Sequence, residues 1–157
     1  MNEGADHPGV VAPPPLIFIG FLLVGWGLGR LFGAPGLPLE STLRGVLTGA
    51  FVTAGLLLIL WAGGLFRKAG TNMRPWAPST ALVVEGPYRF TRNPMYLGFA
   101  LIYAGLAVGL DSVVALILLI PCVLVMNWGV IGREERYLSG KFGEPYADYR
   151  RAVRPWL

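Results

Sequence analysis

The sequence predicts an all-α membrane protein: about four transmembrane helices followed by a cytosolic C-terminal helical segment. Three observations predict it. Apolar residues make up 54% of the 157 residues and charged residues only 14%, with a mean hydropathy of +0.57, outside the range of ordinary soluble domains. The apolar residues gather into runs suited to a hydrocarbon layer roughly 30 Å thick. The charged residues gather between and after those runs.

Each element follows in order. Residues 1–15, "MNEGADHPGVVAPPP", are polar and rich in proline and glycine, and are expected to be disordered. They carry no basic flank, which argues against a cleaved signal peptide, and no lipidation motif. A single membrane domain is expected from 16 to 157. Its first span, about 16–32, ends near Arg30, which can snorkel. Gly20, Gly25, Gly27 and Gly29 would admit a neighbouring helix. The breaker-rich "GAPGLPLE" turns the chain into a second span at about 43–66.

Residues 67–93 are polar and proline-bearing, with "TALVVEG" as a possible extended piece. Trp76, Tyr88, Phe90 and the valines predict an ordered loop, and loops of this length are commonly functional. A third span is predicted at about 94–110, with Asn93 suited to the N-cap and Pro94 to the first helical position. Asp111 and Ser112 form a tight polar turn. A fourth span follows at about 113–131, with a kink expected at Pro121. Residues 132–157 turn charged, and "REERYLSGKFG" reads as a helix leaving the membrane.

Charge orients these spans. Arg67, Lys68, Arg74, Arg89 and Arg92 oppose only Glu85 in the long loop, and the tail carries six basic against four acidic residues. Both segments are therefore expected on the cytoplasmic face, with the N-terminus. The net charge of +4 is not concentrated in one block, so no nucleic-acid partner is expected. The lone Cys122 and lone His7 offer no disulfide, no metal spacing and no histidine-based triad. Cys122 is expected as a small buried apolar residue.

A short turn between the third and fourth spans makes an antiparallel hairpin. It brings Arg92–Tyr96 and Tyr88 opposite Glu134 and Glu135. By residue type alone, Arg89 and Arg92 are equally well interfacial anchors, and Tyr88, Tyr96 and Trp128 an aromatic belt. Tyr146 and Tyr149 likewise suit a helix lying on lipid headgroups.

The combination is more specific than its parts. Leu82-Val83, Gly86-Pro87-Tyr88, Arg92-Asn93-Pro94-Met95-Tyr96, a hairpin, Glu134-Glu135, then Phe142-Gly143-Glu144-Pro145-Tyr146-Ala147-Asp148-Tyr149 follow in order. This set resembles the isoprenylcysteine carboxyl methyltransferases and the related phospholipid methyltransferases, over about residues 67–157. "AGTNMRPWAPS" also resembles bacterial members, which implies a bacterial inner membrane. The resemblance implies an S-adenosylmethionine-dependent methyltransferase without a Rossmann domain, acting on a lipid or small lipophilic acceptor, with no metal. It carries cofactor contacts onto Thr80, Ala81, Leu82, Val83, Tyr88, Arg92, Asn93, Pro94, Met95, Tyr96 and Glu134. The C-terminal segment would complete that pocket.

Residue chemistry is compatible with this. A helix start at Asn93-Pro94 offers free N–H groups to a carboxylate, and Arg92 adds charge. Glu134 can accept from an ammonium or from ribose hydroxyls, and Tyr88 and Tyr96 offer aromatic faces to a cation. Methyl transfer chiefly needs alignment and exclusion of water. Where a base is needed, Glu135 is the expected catalytic group, with Glu134 beside it. Asn93 stands where the family pattern has histidine. Val130 stands where the prenylcysteine enzymes carry a substrate-binding arginine, which points away from a prenylcysteine acceptor. Arg133, close to one helical turn on, is the expected replacement. Two other readings remain open: a sterol-type NADPH reductase and a non-catalytic membrane binding protein.

Overall fold

The computed structural model describes residues 8–72 and 79–157. His7, Arg74 and Trp76 lie outside them, as does the rest of 1–7 and 73–78. The described residues are helical, with no strand among them. Four apolar helices form the membrane part: α1 (Pro14–Leu31), α2 (Ser41–Lys68), α3 (Pro94–Gly109) and α4 (Val113–Met126). A π-helical turn at Asn127–Ile131 joins α4 without a break to α5 (Gly132–Phe142), and α6 (Glu144–Ala152) follows. The apolar part of this long helix ends at Ile131, and α5 is polar.

Local chemistry sets most boundaries. Pro14 opens α1 at a position where no N–H is needed. The Glu40 carboxylate caps α2, accepting from the N–H groups of Thr42 at 3.1 Å and Leu43 at 3.3 Å. Ser112 caps α4 by accepting from Ala115 N at 3.1 Å. Gly143, at φ +58°, separates α5 from α6 in a conformation that favours glycine.

Three helices have the length and apolarity to cross a membrane: α1, α2 and the continuous helix from Val113. With 16 residues, α3 rises only about 24 Å, less than the roughly 30 Å hydrocarbon layer. The α assignment of α4 runs unbroken through Pro121, where a kink is expected. A π turn begins six residues later. "TALVVEG" forms no strand, and instead runs irregularly into a 3-10 turn at Gly86–Arg89.

Packing pairs α2 with α3 and α1 with α4. Small residues make both contacts close. A Cβ on Gly98 would lie 2.8 Å from the Gly55 carbonyl, and one on Gly25 would lie 2.6 Å from the Ala115 Cα. Helices in lipid gain from such approach through dispersion, since burial itself drives little there. Gly29 also sits close to α4, whereas Gly20 and Gly27 face open space. Between the pairs lies a core of Phe18, Leu22, Tyr103, Cys122, Met126 and Val130. The Tyr103 hydroxyl donates to the Ala115 carbonyl at 2.8 Å. Leu57, Leu60 and Trp61 of α2 point outward, as an apolar solvent requires. Ahead of α1, residues 8–13 lack regular structure, yet Val10 packs on the core.

Candidate functional site

The open end of the α3–α4 hairpin carries a dense polar network. The Tyr96 hydroxyl donates to Glu134 Oε1 at 2.6 Å. Arg92 Nε donates to Glu135 Oε1 at 3.0 Å, and its Nη2 reaches the same oxygen. Arg150 Nε lies 3.6 Å from the other Glu135 oxygen. Both oxygens of Glu135 thus face guanidinium groups. Arg92 goes further, donating through Nη1 to the Arg150 carbonyl at 3.0 Å and to the Val153 carbonyl.

The same stretch clamps the C-terminal tail. Arg92 N–H donates to the Arg154 carbonyl at 2.9 Å. The Pro155 carbonyl accepts from Thr91 Oγ1 at 3.0 Å and from Asn93 Nδ2 at 2.8 Å. Asn93 therefore occupies the N-cap of α3 without capping it, because its amide serves the tail. Pro94 has no N–H to satisfy. The N–H groups of Met95 and Tyr96 meet no acceptor among the described residues, leaving a helix start able to receive an anion.

These groups border a cleft with about 800 Å³ of empty space, its open mouth included. Ala81, Leu82 and Val83 line one part, and Tyr88 and Arg92 to Tyr96 another. Glu134 and Glu135 close it from α5. Two expected residues are not brought in. Thr80 turns away, its N–H donating to Thr71 Oγ1 at 2.8 Å and its hydroxyl to the Gly70 carbonyl at 3.2 Å. Arg133 points to the outer side, where Nη1 donates to the Gly9 carbonyl at 2.8 Å. Val130 is fully buried in the core. Val130 lies inside the π turn that ends at Ile131, and this alters helical phase ahead of Arg133, so spacing counted on a regular helix does not carry over.

Other lining residues are not singled out individually by the sequence, although the C-terminal segment is expected to complete the pocket. Tyr137 and Leu138 follow Glu134 by three and four positions, so helical periodicity alone would place them on its face. Tyr146 and Tyr149 line the cleft. Tyr146 is buried, and the Tyr149 hydroxyl donates to the Tyr88 carbonyl at 2.8 Å. Phe66 stacks at a tilt on Tyr88, ring centres 5.5 Å apart. No local sequence signal marks Pro8, which also borders the cleft.

Two atoms in the cleft stand out electrostatically. The Tyr88 hydroxyl is buried and has no hydrogen-bond partner among the described residues. Such an atom is costly to leave open. Burial, with Tyr149 and Glu134 nearby, holds this phenol far above its usual range, so it remains a donor. Glu134 is the other. Enclosure pushes its carboxyl from 4.5 up to about 7, and the Glu135 charge adds to the rise against the opposing Tyr96 hydrogen bond. Burial likewise raises Tyr146 to about 12.

A bundle of apolar helices long enough to cross a membrane, with a cleft that holds an enclosed carboxylate and a hydroxyl unpartnered among the described residues, makes a candidate ligand site in a membrane protein. Its sequence relatives specify the class further. The model of the phospholipid methyltransferase family matches residues 43–145, and the chain belongs to that family of membrane methyltransferases. An uncharacterized protein of Haemophilus influenzae is 41% identical over 63 residues, 40% of this chain and the whole of that relative. No solved structure matches.

Proposed function

We propose that the chain is an S-adenosylmethionine-dependent methyltransferase that methylates a lipid or a small membrane-partitioning acceptor. One observation carries the reading: the unpartnered Tyr88 hydroxyl and the enclosed Glu134 carboxylate face one cleft at the free N–H groups of α3. That donor set fits the cofactor's polar groups. The Met95 and Tyr96 N–H groups would receive its carboxylate. Glu134 would accept from its ammonium or ribose hydroxyls, and Tyr88 would donate. When bound, S-adenosylmethionine supplies an electrophilic methyl group on a sulfonium centre.

The chain's own residues would perform the remaining work. Leu82, Val83, Phe66 and Leu138 give the cleft an apolar lining that excludes water. Glu135 is committed to Arg92 and Arg150, so the expected role of base passes to Glu134, whose carboxyl exchanges a proton near neutrality. Arg92 and Arg133 are both engaged. Neither is then available to an acceptor carboxylate, which supports an acceptor other than a prenylcysteine. The basic excess of the loop and tail supports a cytoplasmic cleft in a bacterial inner membrane.

Calorimetry on the detergent-solubilised protein tests the cofactor. Heat is expected with S-adenosylmethionine and S-adenosylhomocysteine and none with NADPH. The opposite pattern would replace this reading with a reductase. Transfer of a labelled methyl group into membrane extract would then identify the acceptor.

A further inference from the structure

Besides Tyr146 and Tyr149 of α6, one further border of the cleft lies outside the family-matched region of 43–145. It is the segment Pro8–Val11. Pro8 lines the cleft. Gly9, at φ +62°, turns the chain in a conformation suited to glycine, and its carbonyl accepts from Arg133 Nη1 at 2.8 Å. Val10 packs on the core. Val11 N–H reaches the Gly129 carbonyl at 3.4 Å. Its side chain fills the space over Gly129, where an added Cβ would come within 2.9 Å of Val11 Cγ2.

Of the two anchor points, Gly129 lies inside the π turn at Asn127–Ile131 and Arg133 just beyond its end. Such turns recur at functional sites. Arg133 also sits next to Glu134, so the rim that holds the segment adjoins the carboxylate inside the cleft. The inner anchor is apolar packing, whereas the outer one is a solvent-exposed hydrogen bond. The outer end therefore opens more readily than the inner.

We propose that Pro8–Val11 is a strap closing one side of the cleft, that Arg133 positions it, and that it governs how long a bound ligand stays. The inference rests on the cofactor reading above. Arg133 is on this account a positioning residue, not a catalytic one.

The test uses the full chain in detergent with S-adenosylhomocysteine as probe. Arg133→Met and Gly129→Leu are each expected to speed dissociation about fivefold, as for one lost hydrogen bond. Arg133→Lys, which keeps a donor for the Gly9 carbonyl, restores the slow rate. Wild-type rates in all three overturn the strap. Hydrogen exchange gives a reading that does not depend on the variants folding. Saturating probe slows exchange at the amides of Gly9 to Ala12 in the wild type, and unchanged exchange overturns the proposal. Should the wild type bind no S-adenosyl ligand, the cofactor reading falls. Strap exchange without ligand then decides separately: faster in Arg133→Met supports the positioning role, and equal rates reject it.

Discussion

The α3–α4 hairpin has an arginine–carboxylate pair at each end, and the two ends are built to opposite effect. At the closed end, Asp111 pairs with Arg44 at 2.7 Å and accepts from Leu37 N–H at 2.8 Å. These contacts, the backbone one first, hold its carboxyl below the usual range. The pair is substantially exposed, with side chains 28% and 41% accessible, against 9% and 16% for Arg92 and Glu135 at the open end. The closed end ties the α1–α2 connection to the hairpin turn. The open end ties down the tail with Arg92 and Glu135, yet leaves the Tyr88 hydroxyl without a partner among the described residues. A latch satisfies its groups, whereas a site holds some in reserve.

Removing Arg92 should break this contrast most severely. Arg92→Met strips Glu135 of its closest partner and frees the Arg150 and Val153 carbonyls. Breaking a buried pair costs about 3–5 kcal/mol, so thermal unfolding in detergent should fall steeply. A loss below about 1 kcal/mol would make the clamp no stronger than a surface pair.

Glu134→Gln comes next. It should weaken S-adenosylmethionine binding by roughly 10- to 100-fold, the scale of a hydrogen bond to a charged group, without comparable unfolding. Its pH profile sharpens the test. Because the carboxyl lies near 7, wild-type affinity should rise about tenfold from pH 6 to pH 8 as the anion forms. The variant should be flat. Ligand-free stability runs the other way. The folded value is raised from 4.5, so this contribution is full below 4.5 and is lost as pH climbs through about 7.

Tyr88→Phe isolates the reserved donor. Deleting a buried hydroxyl that has no partner should leave the melting temperature unchanged or slightly higher, while affinity drops up to about tenfold. Parallel loss of both would mean that the hydroxyl serves the fold. The smallest effect belongs to Asp111→Asn, which tests the closed end. Ligand affinity should match wild type, with at most a slight fall in melting temperature. A clear loss of affinity would show that the two ends are coupled.

Much of this was legible because it rests on local chemistry. Asn93-Pro94 marks the start of α3, Asp111-Ser112 marks the turn, and a short turn forces the strand of sequence around Arg92 against Glu134 and Glu135. The burial of Cys122 followed from its apolar neighbours. Other features depended on rotation about a helix axis or on distant chain. Glu134 and Glu135 are the same residue type side by side, so composition does not say which of them pairs with Arg92. The π turn sets their phase. The contacts of Arg133 with the Gly9 carbonyl and of the Asn93 amide with Pro155 join residues far apart along the chain, so no local signal announces them.

The sequence by itself determined the solvent and the inventory. Long uncharged runs require lipid, and their breakers and caps fix where each helix starts and stops. It also determined that one face would gather arginines, tyrosines and paired glutamates. Only the tertiary structure decided which of those groups are consumed. Arg92, Glu135 and Asn93 spend their hydrogen bonds holding the tail, and Arg133 holds the strap. Glu134 and Tyr88 remain turned into the cleft. That division depends on which atoms fall within hydrogen-bond reach of one another, a property of three-dimensional packing that residue order does not encode locally.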